Sequence, residues 1–140
     1  MANIVPDSFK QELFTAVHNF STVAGNTFKL ALYTTVTGFS ASTTNYITTN
    51  ETSGTGYSAS GTTLVNSTVT VAQNVSFISF NNATFSTATL TASCCLIYNT
   101  TQSSKAVVVL DFGGSKTSTN GDFTIQFPTA NSTSAVLRIS

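Results

Sequence analysis

Hydrophobic and polar positions alternate along most of this chain. In residues 27–33, Phe28, Leu30 and Leu32 point one way and Lys29 and Tyr33 the other, which is the period of a half-buried strand. Residues 62–71 alternate again, with Leu64, Val69 and Val71 against Thr63, Thr68 and Thr70. After a turn at Gln73-Asn74, Val75 and Phe77 stand opposite Ile78 and Phe80, so both faces carry bulk. Residues 84–98 read as one long strand or two in sequence. Leu90, Ala92, Cys94, Leu96 and Tyr98 share one parity and Thr89, Thr91 and Ser93 the other, until Cys95 and Ile97 make the second face apolar too. Such a strand starts half-exposed and ends in the centre of a sheet. The most apolar run, Ala106-Val107-Val108-Val109-Leu110, lies in a strand over 105–112 that Gly113-Gly114 ends. The spacing from Tyr98 to Lys105 predicts a hairpin. Residues 115–121 read as a loop. Phe123, Ile125 and Phe127 then alternate up to Pro128, and Ala135, Leu137 and Ile139 mark a last strand.

One segment has a different period. Within residues 5–20, Phe9, Leu13, Ala16, Val17 and Phe20 recur at helical spacing. Ser8 followed by Gln11 forms a capping box behind Pro6, and stop signals fill 19–25. The core of this helix is placed at about 8–20. Phe14 falls off its apolar face, and His18 reads as exposed. The helix either covers the strands or docks on a neighbouring subunit through Phe14 and His18; the first reading is the simpler. Together the pattern predicts a single mainly-β domain over residues 1–140. It is expected to be an antiparallel β-sandwich of about eight strands, jelly-roll or immunoglobulin-like, with one N-terminal α-helix.

The long polar connection after the first strand, residues 34–61, draws attention as a binding loop, because a rigid strand that launches a long loop can present a contact surface. Its large polar residues, Tyr46, Glu51 and Tyr57, are the candidate contact residues. The two tyrosines admit two readings, as anchors for a partner or as packing that holds the loop to its own scaffold. Gly54-Thr55-Gly56 lacks the strand–helix context, the third glycine and the Lys-Ser/Thr of a phosphate loop, so turns requiring positive φ account for these glycines.

Composition sharpens the picture. Serine and threonine make up about a third of the 140 residues, while only 7% are charged, far below the usual quarter. The formal net charge is zero. No basic patch is present to release counterions from a nucleic acid. A neutral hydroxyl-rich surface offers little repulsion against self-association and suits a dense assembly. The start, Met1-Ala2-Asn3-Ile4-Val5-Pro6, lacks the basic and apolar regions of a secretory leader, and no stretch is long enough to span a membrane. The chain is therefore expected to begin in a cytoplasm, with no membrane partner. Cys94 and Cys95 are adjacent, expected reduced and at least partly in the core.

Candidate chemistry is sparse. His18 is the only histidine, so any Ser-His-Asp or Cys-His device must use it, and no Gly-X-Ser-X-Gly elbow occurs. One histidine and two neighbouring cysteines that face opposite sides of a strand cannot build a zinc site. Calcium could use Asp111 and Asp122, although Asp111 ahead of Phe112-Gly113-Gly114 reads better as a turn residue. A carbohydrate-binding module would have Tyr46, Glu51 and Tyr57 as its site. The reading is a non-enzyme without cofactor, catalytic residue or metal.

Ser8-Phe9-Lys10-Gln11-Glu12-Leu13 with His18-Asn19-Phe20, then Phe28-Lys29-Leu30-Ala31-Leu32-Tyr33-Thr34, resembles the opening of small structural proteins of tailed bacteriophages. Glu51-Thr52-Ser53-Gly54-Thr55-Gly56-Tyr57, Leu110-Asp111-Phe112-Gly113 and Phe123-Thr124-Ile125-Gln126-Phe127-Pro128 continue the likeness in the same order. The resemblance covers nearly the whole chain and rests on structural motifs. It implies a virion component made in the bacterial cytoplasm and transfers no catalytic residue. The expectation is a capsid decoration or cement protein that contacts the major capsid protein and copies of itself in a homo-oligomer or symmetric array. A tail or fibre component is the alternative.

Overall fold

The computed structural model describes residues 3–140; Met1 and Ala2, where the leader reading begins, lie outside the described residues. The protein is mainly β, with antiparallel sheets and one short helix. Helix α1 (Asp7–Phe14) precedes β1 (Phe28–Tyr33), β2 (Thr62–Thr63), β3 (Thr68–Ala72), β4 (Val75–Ser79), β5 (Ala83–Asn99), β6 (Lys105–Ile125) and β7 (Leu137–Ile139). One sheet has the order β2-β1-β5-β6 and the other β3-β4-β7, and every pairing is antiparallel.

The alternation in β1 sorts its side chains to two faces as its period predicts, but the strand is buried on both faces instead of half-buried. Phe28, Leu30 and Leu32 join an apolar cluster with Cys95, Ile97 and Val107 of the same sheet, and with Ile78 and Phe80 at the small sheet. Ala31 and Tyr33 point to the other face. There Cys94, Leu96, Tyr98, Ala106 and Val109 pack under Phe39, Tyr46 and Ile47 of the 34–50 connection. The switch in β5 from one apolar face to two is thus observed. Near its C-terminal end the strand is covered on both sides, and residues 84–91 turn a bare threonine row to solvent.

Strands β5 and β6 form one long hairpin, so the residues read as a loop at 115–121 are inside a strand. The local turn signals became bulges. Ala92 lies opposite Lys116 and Cys94 opposite Asp111, which sets residues 112–115 against the single Ser93. Gly113 and Gly114, at φ 75° and 145°, supply a backbone that other residues rarely adopt. The separate strands expected at 105–112 and 123–127 are therefore one, while the single strand expected over 62–71 is split into β2 and β3, which belong to different sheets, and the described residues hold seven strands instead of about eight.

The helix is also shorter than its pattern. It spans Asp7–Phe14, with Pro6 at the N-cap and no side-chain cap. The expected capping box is not formed, because Ser8 Oγ donates to the Thr43 carbonyl (3.2 Å). Past Phe14 the backbone leaves the helix, and Ala16 has φ 57°. A short isolated helix is marginal in water, so tertiary packing decides its end. Here the unwound chain carries Phe20 onto Phe28, with ring centroids 4.4 Å apart and planes 4° from parallel.

Candidate functional site

The candidate contact residues do come together. The 34–61 connection leaves β1, and Glu51 bridges back to Tyr33. Thr52 N–H donates to Leu32 C=O (2.8 Å), its hydroxyl donates to Thr91 C=O (2.9 Å), and Thr55 pairs with Thr89. The connection therefore lies along the edge of β5. Gly54 and Gly61 permit this approach. A Cβ at Gly54 would sit 2.2 Å from Thr89 O, and one at Gly61 would sit 1.8 Å from Leu30 O.

Glu51 is the node of this region. Tyr46 Oη donates to Oε2 (2.6 Å), while Tyr57 Oη (2.6 Å) and Ser60 N–H (2.7 Å) donate to Oε1. Tyr57 Oη in turn accepts Leu32 N–H (3.0 Å). Tyr98 Oη donates to Ser60 C=O (2.6 Å), Lys29 Nζ to Ser60 Oγ (2.7 Å), and Tyr46 stacks on Tyr98 at 4.9 Å. Burial first, and the Glu51 carboxylate next, push the Tyr46 and Tyr57 phenols well above their ordinary range. They remain protonated donors aimed at Glu51. The three residues form a half-buried network that ties the connection to the sheet. A sugar hydroxyl at this place would have to displace an existing donor.

The candidate docking pair separates. Phe14, at the end of α1, is 94% exposed. His18 was expected on an exposed helical face, and the structure corrects this: it lies beyond the helix and is only 8% exposed. Its ring packs on Phe9 with centroids 5.0 Å apart. Asn99 Oδ1 accepts the N–H groups of Thr101 and Gln102, so its Nδ2 faces Asn26 and His18 Nδ1 (3.0 Å). His18 Nε2–H then donates to Glu12 Oε2 (2.7 Å), and Glu12 Oε1 accepts from Lys105 Nζ (2.9 Å). This network pins the N-terminal segment to the hairpin turn. Sequence separations of 81 and 93 residues hid it from local reading.

Cys94 and Cys95 are free and buried, in different apolar clusters on opposite faces. Burial pushes the Cys94 thiol up to about 12. Asp111 Oδ1 accepts Gly113 N–H (2.9 Å), the turn role expected of it, and this bond lowers its carboxyl from the ordinary value. Asp122 accepts Thr87 N–H (3.2 Å) elsewhere on the hairpin. Among the described residues no group of three or more histidine, cysteine or carboxylate side chains could hold a metal ion, and no helix is long and apolar enough to cross a membrane.

One open feature is one that sequence reading missed. On the bare face of the hairpin, hydroxyls pair across the strands: Thr84 with Thr124 (3.0 Å), Thr91 with Thr117 (2.9 Å) and Ser93 with Ser115 (3.3 Å). Asn120 N–H donates to Thr89 Oγ1 between them (3.0 Å). The β5 half of this ladder was visible as a threonine parity. Its β6 half was not, because 115–121 carries loop-like residues. Searches against family models, curated proteins and solved structures find no match to this chain.

Proposed function

We propose that this protein is a non-enzymatic structural component of a bacteriophage virion, a capsid decoration or cement protein seated between major capsid subunits. The observation that carries the proposal is the hydroxyl ladder. Ten residues of β5, 84–93, run about 33 Å at strand rise, beside 115–124 of β6, and present paired hydroxyls with few charges. Each hydroxyl can donate and accept. Such a face suits a permanent contact made of many uncharged hydrogen bonds, where little steering by charge is needed. The zero net charge and the resemblance to tailed-phage structural proteins support the same reading. In this proposal the two sheets, which share an apolar cluster, are the unequal layers of a β-sandwich.

Cryo-electron microscopy of the particle that carries this chain tests the proposal. Density on the shell, at symmetry-related positions between capsomers and with the ladder against the shell, is expected. Density confined to the tail would overturn it in favour of a tail component. Thr91→Lys should keep the fold and lower the number of copies per particle.

A further inference from the structure

Among the described residues, strand β3 has a partner strand on one side only. It joins β4 through Gln73-Asn74, whose φ angles of 51° and 63° are those of a type I′ turn. A two-residue turn of this kind closes on a hydrogen-bonded pair, here Ala72 with Val75, and bonded pairs recur at every second residue. In the observed register, Thr70 with Phe77 and Thr68 with Ser79 are the next ones. Val69 and Val71 therefore turn their N–H and C=O groups away from β4, toward the open edge.

The side chains of these valines stand on the apolar side of the small sheet. Val69 is in a row with Ile78 and Leu137, and Val71 in a row with Ser76 and Ile139. They are nevertheless 53% and 69% exposed. Val69, Ile78 and Leu137 line a groove of about 840 Å³ whose other side includes Leu13 and Phe14. Edge strands usually carry a charge, a proline or a cover. The sequence of β3, Thr-Val-Thr-Val-Ala, has neither charge nor proline. Just before β3 the edge is covered, where Thr22 Oγ1 donates to Ser67 C=O (2.7 Å) and Ser67 Oγ donates to Phe20 C=O (2.6 Å).

We propose that a second copy of this chain occupies this edge, with β3 paired antiparallel to β3 about a two-fold axis at Thr70. Only residues with outward backbone groups can form bonded pairs. Val69 thus exchanges hydrogen bonds with the partner's Val71, and Val71 with the partner's Val69. Thr70 faces the partner's Thr70 as a non-bonded pair. The small sheet becomes six-stranded, and the valines become cross-strand neighbours on its apolar side. Neither valine row contains an ionisable side chain, and the chain has no net charge to oppose the approach. Val69 and Val71 expose on the order of 200 Å² per copy, and the strand backbone and its threonines add to this, leaving the pairing near or below the ~1,000 Å² typical of specific interfaces. The dimer is therefore weak in dilute solution and favoured where copies are held side by side. It does not depend on the virion reading, and its test is made on the free protein.

Sedimentation equilibrium over a concentration series should show the mass rising from 14.7 kDa toward twice that value. Val71→Lys, and Val69→Pro, which removes an outward donor and spares the β4 ladder, should each weaken association at least tenfold. Thr70→Cys should give a disulfide-linked dimer on mild oxidation, since a non-bonded antiparallel pair sets its Cα atoms about 4.5 Å apart. Thr91→Cys, on the other sheet, should not, and the buried native cysteines do not compete. Circular dichroism identifies any variant that fails to fold. A chain that stays at 14.7 kDa throughout overturns the proposal. So does undiminished association of folded Val71→Lys, or Thr70→Cys cross-linking no faster than Thr91→Cys.

Discussion

The polar node at Glu51 and the apolar edge at β3 are opposites. Tyr46, Glu51 and Tyr57 have the residue types of a recognition site, yet their polar atoms are spent on one another and on the backbone of the same chain. Val69 and Val71 have the residue types of a core, yet they lie open to solvent. The difference follows from what burial costs. A buried carboxylate or phenol without a partner is strongly unfavourable, so such groups close into networks. An exposed valine costs far less and can be left for a later contact. Chemical type alone therefore did not mark which surface is available.

The sharpest contrast is between two phenylalanines of the N-terminal segment. Phe20→Ala should cost about 4 kcal/mol, because it opens a cavity among Phe9, Phe28 and Phe80. Phe14→Ala should stay within about 0.5 kcal/mol in the monomer. Urea denaturation of both variants measures the difference, and equal losses would mean that Phe14 is part of the core.

Glu51→Gln comes next. It replaces a charged acceptor of three donors by a neutral amide and should cost about 2 kcal/mol. A double-mutant cycle with Tyr57→Phe should be non-additive, since both side chains belong to one hydrogen bond. A loss near zero would release Tyr46, Glu51 and Tyr57 for the contact role.

Alkaline titration probes the interior under the node. The Cys94 thiol rises in the fold from an ordinary 9.0 to about 12. Below pH 9 both folded and unfolded chains hold this proton, and its contribution is constant. Between pH 9 and about 12 the unfolded chain loses the proton first, so stability falls as pH rises. The raised phenols of Tyr33, Tyr46 and Tyr57 act in the same direction above pH 10, their ordinary value. Thermal melts from pH 8 to 11 should show the fall, and Cys94→Ala should make it shallower. The smallest effect is expected on the open hairpin face. Thr91→Val removes one exposed hydroxyl pair with Thr117 and should change stability by less than about 0.5 kcal/mol.

Much of the β architecture was legible. The parity of β1 and the one-face to two-face change along β5 appeared as alternation, and the hairpin after Tyr98 as a short polar spacing. The helix was legible only in its first half. Its apolar spacing continued to Phe20, but the helix ends at Phe14 and Phe20 stacks on Phe28 outside it. The glycines at 113 and 114 and the Asn120-Gly121 pair signalled turns, and β6 absorbed them as irregularities of one long strand. The Glu51 residues were named from the loop sequence, and their convergence came from the fold.

What the sequence determined by itself is local: which residues alternate, which segment is helical at its start, and that a neutral, hydroxyl-rich chain has few groups for chemistry. Those properties depend on backbone period and side-chain type, which act within a few residues. Only the tertiary structure decided that His18 is buried against Asn99, that Glu12 reaches Lys105, that threonines of two strands form one ladder, and that β3 lies at the edge of its sheet among the described residues. These outcomes depend on pairings across tens of residues, where the demand to satisfy every buried polar group and to pack the aromatic cluster outweighs local preference.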